Sequence, residues 1–571
     1  MTSTRRFSIT PYLLEAGIVI LLALATVVIN WKMLRDGVNG MADLKCHLTW
    51  LQHFSKQISE GIWYPRWLAG TNYGYGSPTF VFYPPLAYYM GTAFKFIGLD
   101  TEKSAIALFT LALFCSGLTF YTYGRKRWGV IASFLGALAY MTAPYLARDI
   151  YFRGGLSSIL VQAWIPLVWW LTDRALLRPK WRIALAFSWT FVALTHVPSL
   201  LLCMVVWLPY TLFSLLNHSW KAVAATIVAA GTGLGVASFY LVPAVLEQSF
   251  TSIKVMKEVY GGYKANLFWS PLPFPDYIMK VTNDMQEIFL HQSLVIIVLS
   301  TVVFACCRKN VALRQETWRW LALAIALAFL MSYWSMPIWQ SSKTLQMVQF
   351  PWRLLQIFSF AGAALCAGVV GGVINKHQRL IPLVLLILIA VFGLNFKYSY
   401  HLSRSLPTIH NPGRGVVANL ETILTILSDP YSDKLIDVEE YRPLLKNGNP
   451  AVPLIGEKRV SVLSGKAEIK INQWIGYNRI FSVKAEESST VRVRTYYYPA
   501  WHLYVNNKPH PVSMSGDGTM ELKLEPGLYT VELRYQWTQA FILGGVLSAL
   551  SIVTLSLFWL ATYPKFSISS L

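Results

Sequence analysis

Charge is what this chain has least of. Only 13% of its 571 residues are Asp, Glu, Lys or Arg, about half the roughly 25% typical of soluble globular proteins. That shortage excludes an ordinary water-soluble enzyme. Acidic residues are scarcer than basic ones, 28 against 49. Cysteine is also rare. The six are Cys46, Cys115, Cys203, Cys306, Cys307 and Cys366, and none lies within 397–538. That segment, expected outside the cytoplasm, therefore folds without disulfides. No Cys-x-x-Cys pair occurs and no two histidines stand one residue apart, which argues against a structural zinc site. What the chain does have is apolar: 54% hydrophobic residues, with 22 Trp, 30 Tyr and 30 Phe. This excludes disorder, which needs low hydrophobicity, and points to a polytopic membrane protein.

The positive excess is uneven. Residues 397–538 hold 17 basic and 14 acidic groups, so most of the net charge of +21 lies in the apolar remainder. Retention of Lys and Arg in cytoplasmic loops explains this. A nucleic-acid partner would need a basic stripe on a soluble fold, and none is visible. Apolar runs predict twelve spans. They lie near 12–31, 104–123, 129–147, 157–174, 183–197, 199–216, 222–246, 292–306, 317–335, 353–374, 380–396 and 539–561. Pro198, beside His196, divides a 183–216 run that is too long for one crossing. The run 79–98 reads as interfacial or re-entrant, because Pro84-Pro85 and its tyrosines suit the headgroup zone. Both termini are then expected inside. The basic clusters Arg125–Arg127, Arg174–Arg182, Arg308–Arg314 and Lys376–Arg379 fall on that same side.

The expected organisation is a transmembrane domain over 1–396 with an outer loop at 33–103, an extracytoplasmic domain over 397–538, and a C-terminal anchor over 539–571. Within 397–538, alternation in Val491–Arg494, Met520–Leu524 and Val531–Tyr535 predicts β-strands. Asn506-Asn507 and Pro526-Gly527 stand where turns are needed. A small β-sandwich is expected, preceded by loops and a short helix near 415–428.

Fourteen carboxylates lie outside that domain, and a membrane enzyme with a general base would draw on those facing outward. Asp43 stands out among them. Residues 41–57 read as an amphipathic helix just after the first span, on which Asp43 and His47, at i and i+4, share a face. A carboxylate beside an imidazole can act as a base, or can help bind a divalent metal; it can also be plain helix decoration. The aromatic loop from Gly61 through Arg66 to Tyr83 suits a sugar face or a lipid head, or an interfacial belt. Arg153 follows the third span, and Arg353 sits at the outer mouth of another. An arginine there can clamp a phosphate or snorkel to headgroups. His196 lies late in an apolar run, where polar groups tend to face cavities.

Several stretches together carry a family resemblance. They include Asp43-Leu-Lys-Cys-His47, Gly61-Ile-Trp-Tyr-Pro-Arg-Trp67, Gly74-Tyr-Gly-Ser-Pro78, Tyr83-Pro-Pro-Leu86, Arg153-Gly154, Thr195-His196, Phe239-Tyr-Leu-Val-Pro243, Gln349-Phe-Pro-Trp-Arg353, Glu440-Tyr-Arg-Pro443 and Tyr497-Tyr-Pro-Ala-Trp501. In this order they resemble the bacterial "6-pyruvoyl-tetrahydropterin synthase-related" polytopic membrane proteins. That family is in turn similar to the GT-C class of membrane glycosyltransferases, which take sugars from polyprenyl-phosphate carriers. The resemblance implies Asp43 as base or metal-linked carboxylate, supported by His47. It implies Arg66, Tyr83, Arg153, His196 and Arg353 as substrate-binding residues, with Arg353 for the lipid phosphate. A divalent ion (Mg or Mn), a polyprenyl-phosphate sugar lipid and membrane lipids are the implied cofactor and partners. The bacterial inner membrane is the implied location. One departure stands out: the family's acidic residue a few positions after Arg-Gly is replaced here by Ser157-Ser158. The residues leave three functions open, namely a glycosyltransferase, a non-catalytic envelope scaffold or glycan-binding protein, and a lipid-linked glycan transporter.

Overall fold

Backbone polar groups inside hydrocarbon have no water to bond, so apolar runs must satisfy them internally, and a helix does so within one segment. The computed structural model describes residues 10–39, 42–256, 258, 261–405, 420–429 and 437–562. All twelve expected spans contain helix. Among the described residues, eight helices are long and apolar enough to cross a membrane. The count is nine if Trp220–Val236 and Ser238–Leu246, bent by 73° at their junction, form one broken span. The other three differ for physical reasons. Arg182–Thr195 has 14 residues, a rise of about 21 Å. Leu156–Leu177 carries Asp173 and Arg174, and Val311–Met331 carries Arg314, Glu316 and Arg319. The segment 79–98 forms two short helices, Thr79–Phe82 and Leu86–Phe96, neither long enough to cross.

Close packing holds the bundle together. A Cβ on Gly233 would lie 2.0 Å from the carbonyl oxygen of Ala186. Only glycine therefore lets these two helices approach, and Thr190 Oγ1 donates to the Gly233 carbonyl at 2.7 Å across the contact. Charged groups gather at the two ends of the helices. At one end Arg125 pairs with Glu15 at 2.9 Å and Arg127 with Asp173 at 2.7 Å. There too the Trp128 indole donates to Glu316 at 2.7 Å. The opposite end carries the candidate site.

The C-terminal strands form two antiparallel sheets, ordered β1-β4-β8-β7 and β2-β3-β9-β5-β6. They comprise β1 (Val460–Ser464), β2 (Ala467–Ile475), β3 (Asn478–Ala485), β4 (Ser489–Tyr496), β5 (Trp501–Val505), β6 (Lys508–His510), β7 (Ser513–Met514), β8 (Thr519–Leu524) and β9 (Gly527–Tyr535). Alternation places Phe481, Val483, Val491, Val493, Leu522, Val531 and Leu533 in the core. Asn506 and Asn507 take φ of 49° and 64°, the pair of left-handed residues that a two-residue hairpin turn requires. The short helix before the strands is Leu420–Ser428; the start of the expected 415–428 helix lies outside the described residues.

The sheets are stitched to the 42–98 segment and to the final helix, Gln539–Thr562. Trp67, fully buried, packs edge-on to Trp501 at 5.7 Å and against Tyr535 at 5.8 Å. Tyr496 N–H donates to the Tyr75 carbonyl at 3.0 Å. The buried Glu247 carboxylate accepts the hydroxyls of Tyr498 and Thr538. The sheets and the 42–98 segment therefore share one end of the bundle.

Candidate functional site

The site begins where α1 (Thr10–Asp36) has ended and α2 (Leu44–Ser59) starts. Asp43 stands just before the first turn of α2, and its carbonyl accepts the N–H groups of Cys46 and His47. Its own N–H donates to the Arg153 carbonyl at 2.8 Å, so the entry to α2 is strapped to the 149–155 turn. The side chains repeat the link. Arg153 Nε donates to Asp43 Oδ2 at 2.8 Å, and Arg153 Nη1 to Asp149 Oδ1 at 3.3 Å. Asp149 is buried at 2% exposure and also accepts the Ser158 hydroxyl at 2.6 Å. Its backbone carbonyl takes the N–H groups of Gly154 and Gly155. One guanidinium thus bridges two carboxylates 106 residues apart in sequence. Ser158 gains a role here: it is a donor to Asp149. A carboxylate at that position would press a second negative charge against the first.

Arg353 faces this cluster. It is 7% exposed, Nη1 donates to the Val348 carbonyl at 2.8 Å, and the guanidinium lies 4.8 Å from the Phe350 ring centre. Its buried Nε has no hydrogen-bond partner among the described residues. It interacts electrostatically with Arg153, Tyr145, Asp43 and Asp149. His196 is buried nearby. Its Nδ1 meets Ser199 Oγ at 2.7 Å, and Ser199 Oγ donates to Gln356 Oε1 at 2.9 Å, one turn beyond Arg353. Tyr83 completes this group. Burial raises its phenol to about 12, with Arg153, Asp43 and Arg353 as its charged neighbours.

The structure therefore brings Asp43, Arg153, Arg353, His196 and Tyr83 together. It changes the expectation for His47. Asp43 and His47 do share a helix side, yet the imidazole turns to Tyr88, with Nδ1 and the hydroxyl 2.7 Å apart. Burial lowers the His47 pKa to about 4, with Asp43 opposing the fall and Arg153 adding to it, so the ring is neutral at pH 7. Arg66 lies elsewhere. Its guanidinium is 4.0 Å from the Phe541 ring centre and 5.3 Å from that of Tyr535, so it joins the final helix to β9 and does not contribute to the Asp43 cluster.

Two acidic residues of the site were not singled out from sequence. Asp149 was one among the fourteen carboxylates, and its signal was its spacing of four from Arg153. Asp437 was not a candidate. It is buried, accepts the Trp50 indole at 2.7 Å and the Thr79 hydroxyl at 2.6 Å, and burial raises its pKa.

A divalent ion does not fit this donor set. The two closest carboxylates, Asp43 and Asp149, already share the Arg153 guanidinium. Among the described residues no three His, Cys, Asp or Glu side chains converge as a metal site. Two surface clefts, of about 500 and 490 Å³, lie on the β2-β3-β9 face and beside Asn375–Leu380. Neither adjoins Asp43.

Fold and site together define a polytopic membrane protein with an acidic and basic cluster at one end of its helices. The chain belongs to the 6-pyruvoyl-tetrahydropterin synthase related domain family of membrane proteins, whose model matches residues 80–401. No curated protein matches it in sequence. Among solved structures it is similar to the Archaeoglobus fulgidus oligosaccharyltransferase in complex with Zn and sulfate. Identity there is 15% over 70% of this chain and 54% of that one, with a TM-score of 0.40. This chain thus spans about half the length of that enzyme. It is also similar to ArnT from Cupriavidus metallidurans. The form bound to undecaprenyl phosphate gives 14% identity, 77% and 92% coverage, and a TM-score of 0.29. The apo form gives 14%, 76% and 92%, and 0.30.

Proposed function

We propose that this protein is a membrane glycosyltransferase that moves a sugar from a polyprenyl-phosphate-linked donor to an acceptor outside the cytoplasm. The observation that carries the reading is the buried, unpartnered Nε of Arg353 opposite the Asp43–Arg153–Asp149 bridge. A departing lipid phosphate develops negative charge, and a guanidinium held ready in a dry site stabilises it most. Asp43 has a side chain 43% exposed, and Arg153 holds only one of its oxygens. Among the described residues the other oxygen has no hydrogen-bond donor, and it would accept a hydroxyl of the incoming acceptor. The basic clusters at the far end of the helices support an orientation with that end in the cytoplasm and the sheets outside, in the bacterial inner membrane.

The test uses the full chain in nanodiscs, supplied with an undecaprenyl-phosphate-linked hexose. Asp43→Asn is expected to lower sugar release by at least 100-fold while leaving the protein folded. Arg353→Gln is expected to weaken binding of undecaprenyl phosphate itself. Wild-type behaviour of an Asp43/Arg353 double variant in cells would remove the transferase reading in favour of an envelope scaffold.

A further inference from the structure

The end of the bundle opposite Asp43 carries a polar cleft that the transferase reading does not use. It holds about 490 Å³ between the last turn of the helix Asp276–Cys306 and the connection from Leu355–Lys376 to Ile381–Ser405. Packing fixes its place. A Cβ on Gly371 would lie 2.6 Å from the Trp128 carbonyl oxygen, so the last turns of Leu355–Lys376 sit beside Trp128. That helix has 22 residues, a rise of about 33 Å, and Arg353 stands at its other end. A single phosphate therefore cannot reach both the cleft and Arg353.

Lys376, His377 and Arg379 line the cleft, together with the amides of Asn375 and Gln378 and the thiol of Cys306. None of its lining residues is acidic. Lys376 and Arg379 are exposed and, among the described residues, belong to no ion pair. The same holds for Arg308 and Lys309, which follow Cys306-Cys307 directly in the chain. The His377 Nε2 has no hydrogen-bond partner among the described residues. The one carboxylate of Val311–Met331, Glu316, is spent on the Trp128 indole beside Gly368, two turns short of Lys376. Two cations, an imidazole and two amides suit an anion with several acceptor oxygens. The surface beside the cleft selects the form of that anion. Leu383, Leu385, Leu386 and Ile389, in the first turns of Ile381–Ser405, are 40, 49, 65 and 69% exposed. They belong to a stretch long and apolar enough to cross a membrane, so hydrocarbon chains cover them.

We propose that this cleft binds the phosphate of an anionic phospholipid, held by Lys376, Arg379 and the His377 imidazole, with the acyl chains lying along the exposed leucines of Ile381–Ser405. The site is separate from the Asp43 cluster and does not rest on the transferase reading. Its size is that of an ordinary small-ligand pocket, which admits a phosphoglycerol head. Basic pockets between helix ends recognise anionic heads in this way, because the cations meet the phosphate while the tails stay in hydrocarbon. A free phosphate would satisfy the same cations and gain nothing from the apolar flank. On the orientation proposed above, the lipid belongs to the cytoplasmic leaflet.

The experiment adds phosphatidylglycerol, phosphatidylcholine or inorganic phosphate to the full chain in maltoside micelles and counts retained lipid by native mass spectrometry. Wild type should hold phosphatidylglycerol in preference to phosphatidylcholine. Each basic side chain beside an anionic lipid contributes about fivefold in affinity, so the double variant Lys376→Gln, Arg379→Gln should bind phosphatidylglycerol about 25-fold more weakly. A control double variant, Arg178→Gln, Lys180→Gln, removes the same charge at the same end of the bundle and should bind as wild type does. Cys306 reports the location, being the one exposed cysteine among the described residues. Phosphatidylglycerol should slow its alkylation by N-ethylmaleimide in wild type and not in the Lys376, Arg379 variant. Equal retention of the two lipids would overturn the proposal, as would an unchanged preference in the cleft variant. Protection of Cys306 by inorganic phosphate but not by phosphatidylglycerol would give the cleft to a soluble anion and overturn the lipid assignment. The transferase reading stands or falls separately, at Asp43 and Arg353.

Discussion

Removing the Arg153 guanidinium is the sharpest structural test. Arg153→Gln keeps much of the side-chain length but deletes the charge between Asp43 and Asp149. The two halves of the bridge are unequal. The Asp43 side chain is 43% exposed, so water can replace the lost contact, and that half contributes about 1 kcal/mol at most. Asp149 is 2% exposed and would remain as a buried carboxylate without its cation. Breaking such a pair costs about 3–5 kcal/mol. The Ser158 hydroxyl still donates to Asp149 at 2.6 Å, which favours the lower end, about 3 kcal/mol. Adding Asp149→Asn should recover most of it, because the stranded charge is then gone. The assay is SDS-induced unfolding of the full chain in mixed micelles, followed by tryptophan fluorescence, for both single variants and the double. The double-mutant cycle should give a coupling of about 2–3 kcal/mol. A loss below about 1 kcal/mol in Arg153→Gln, or a loss that Asp149→Asn does not relieve, would refute the reasoning.

Acid should weaken the fold through two histidines. His47 and His53 are both buried, and burial lowers each to about 4. An unfolded imidazole takes its proton near pH 6.5, so each contribution is present above 6.5 and is lost as pH falls toward 4. The loss is up to about 3 kcal/mol per ring. The difference in unfolding midpoint between wild type and His53→Gln, measured at pH 7 and at pH 4.5, isolates one of them, and an unchanged difference would contradict the burial. Gly76→Ala should also be disruptive. A Cβ there would lie 2.3 Å from the Trp67 indole nitrogen at a φ of +81°, and the backbone strain alone costs about 1–2 kcal/mol. Loss of near-ultraviolet tryptophan circular dichroism and faster proteolysis within 60–80 are the expected readouts, whereas a native spectrum would count against the contact.

Hydropathy made the helical frame legible, because a long apolar run has one solution in lipid. Its twelve runs include helices such as Val311–Met331, which mixes Arg314, Glu316 and Arg319 into an otherwise apolar stretch. Alternation revealed the strands, and Asn506-Asn507 marked its own turn. Two residues of the candidate cluster stood out in the sequence as isolated residues: Asp43 from its place after a span, Arg353 from its place at a span mouth. Their partners were hidden by chain separation. Nothing local in Arg153 says which carboxylates it bridges, and nothing near Trp50 announces Asp437, 387 residues away. Helix spacing placed His47 beside Asp43 but could not show that Tyr88, from a different helix, brings a buried hydroxyl to 2.7 Å of its ring. Arg66 was drawn toward chemistry by its aromatic neighbourhood, which in the fold is the packing between the final helix and the sheets.

The hydrogen bonds of Asp437 to Trp50 and Thr79 have a mechanical consequence. They tie the segment leading into the sheet pair to α2 and to the Thr79–Phe82 helix, so a tilt of the sheets would pull on Trp50 and Thr79.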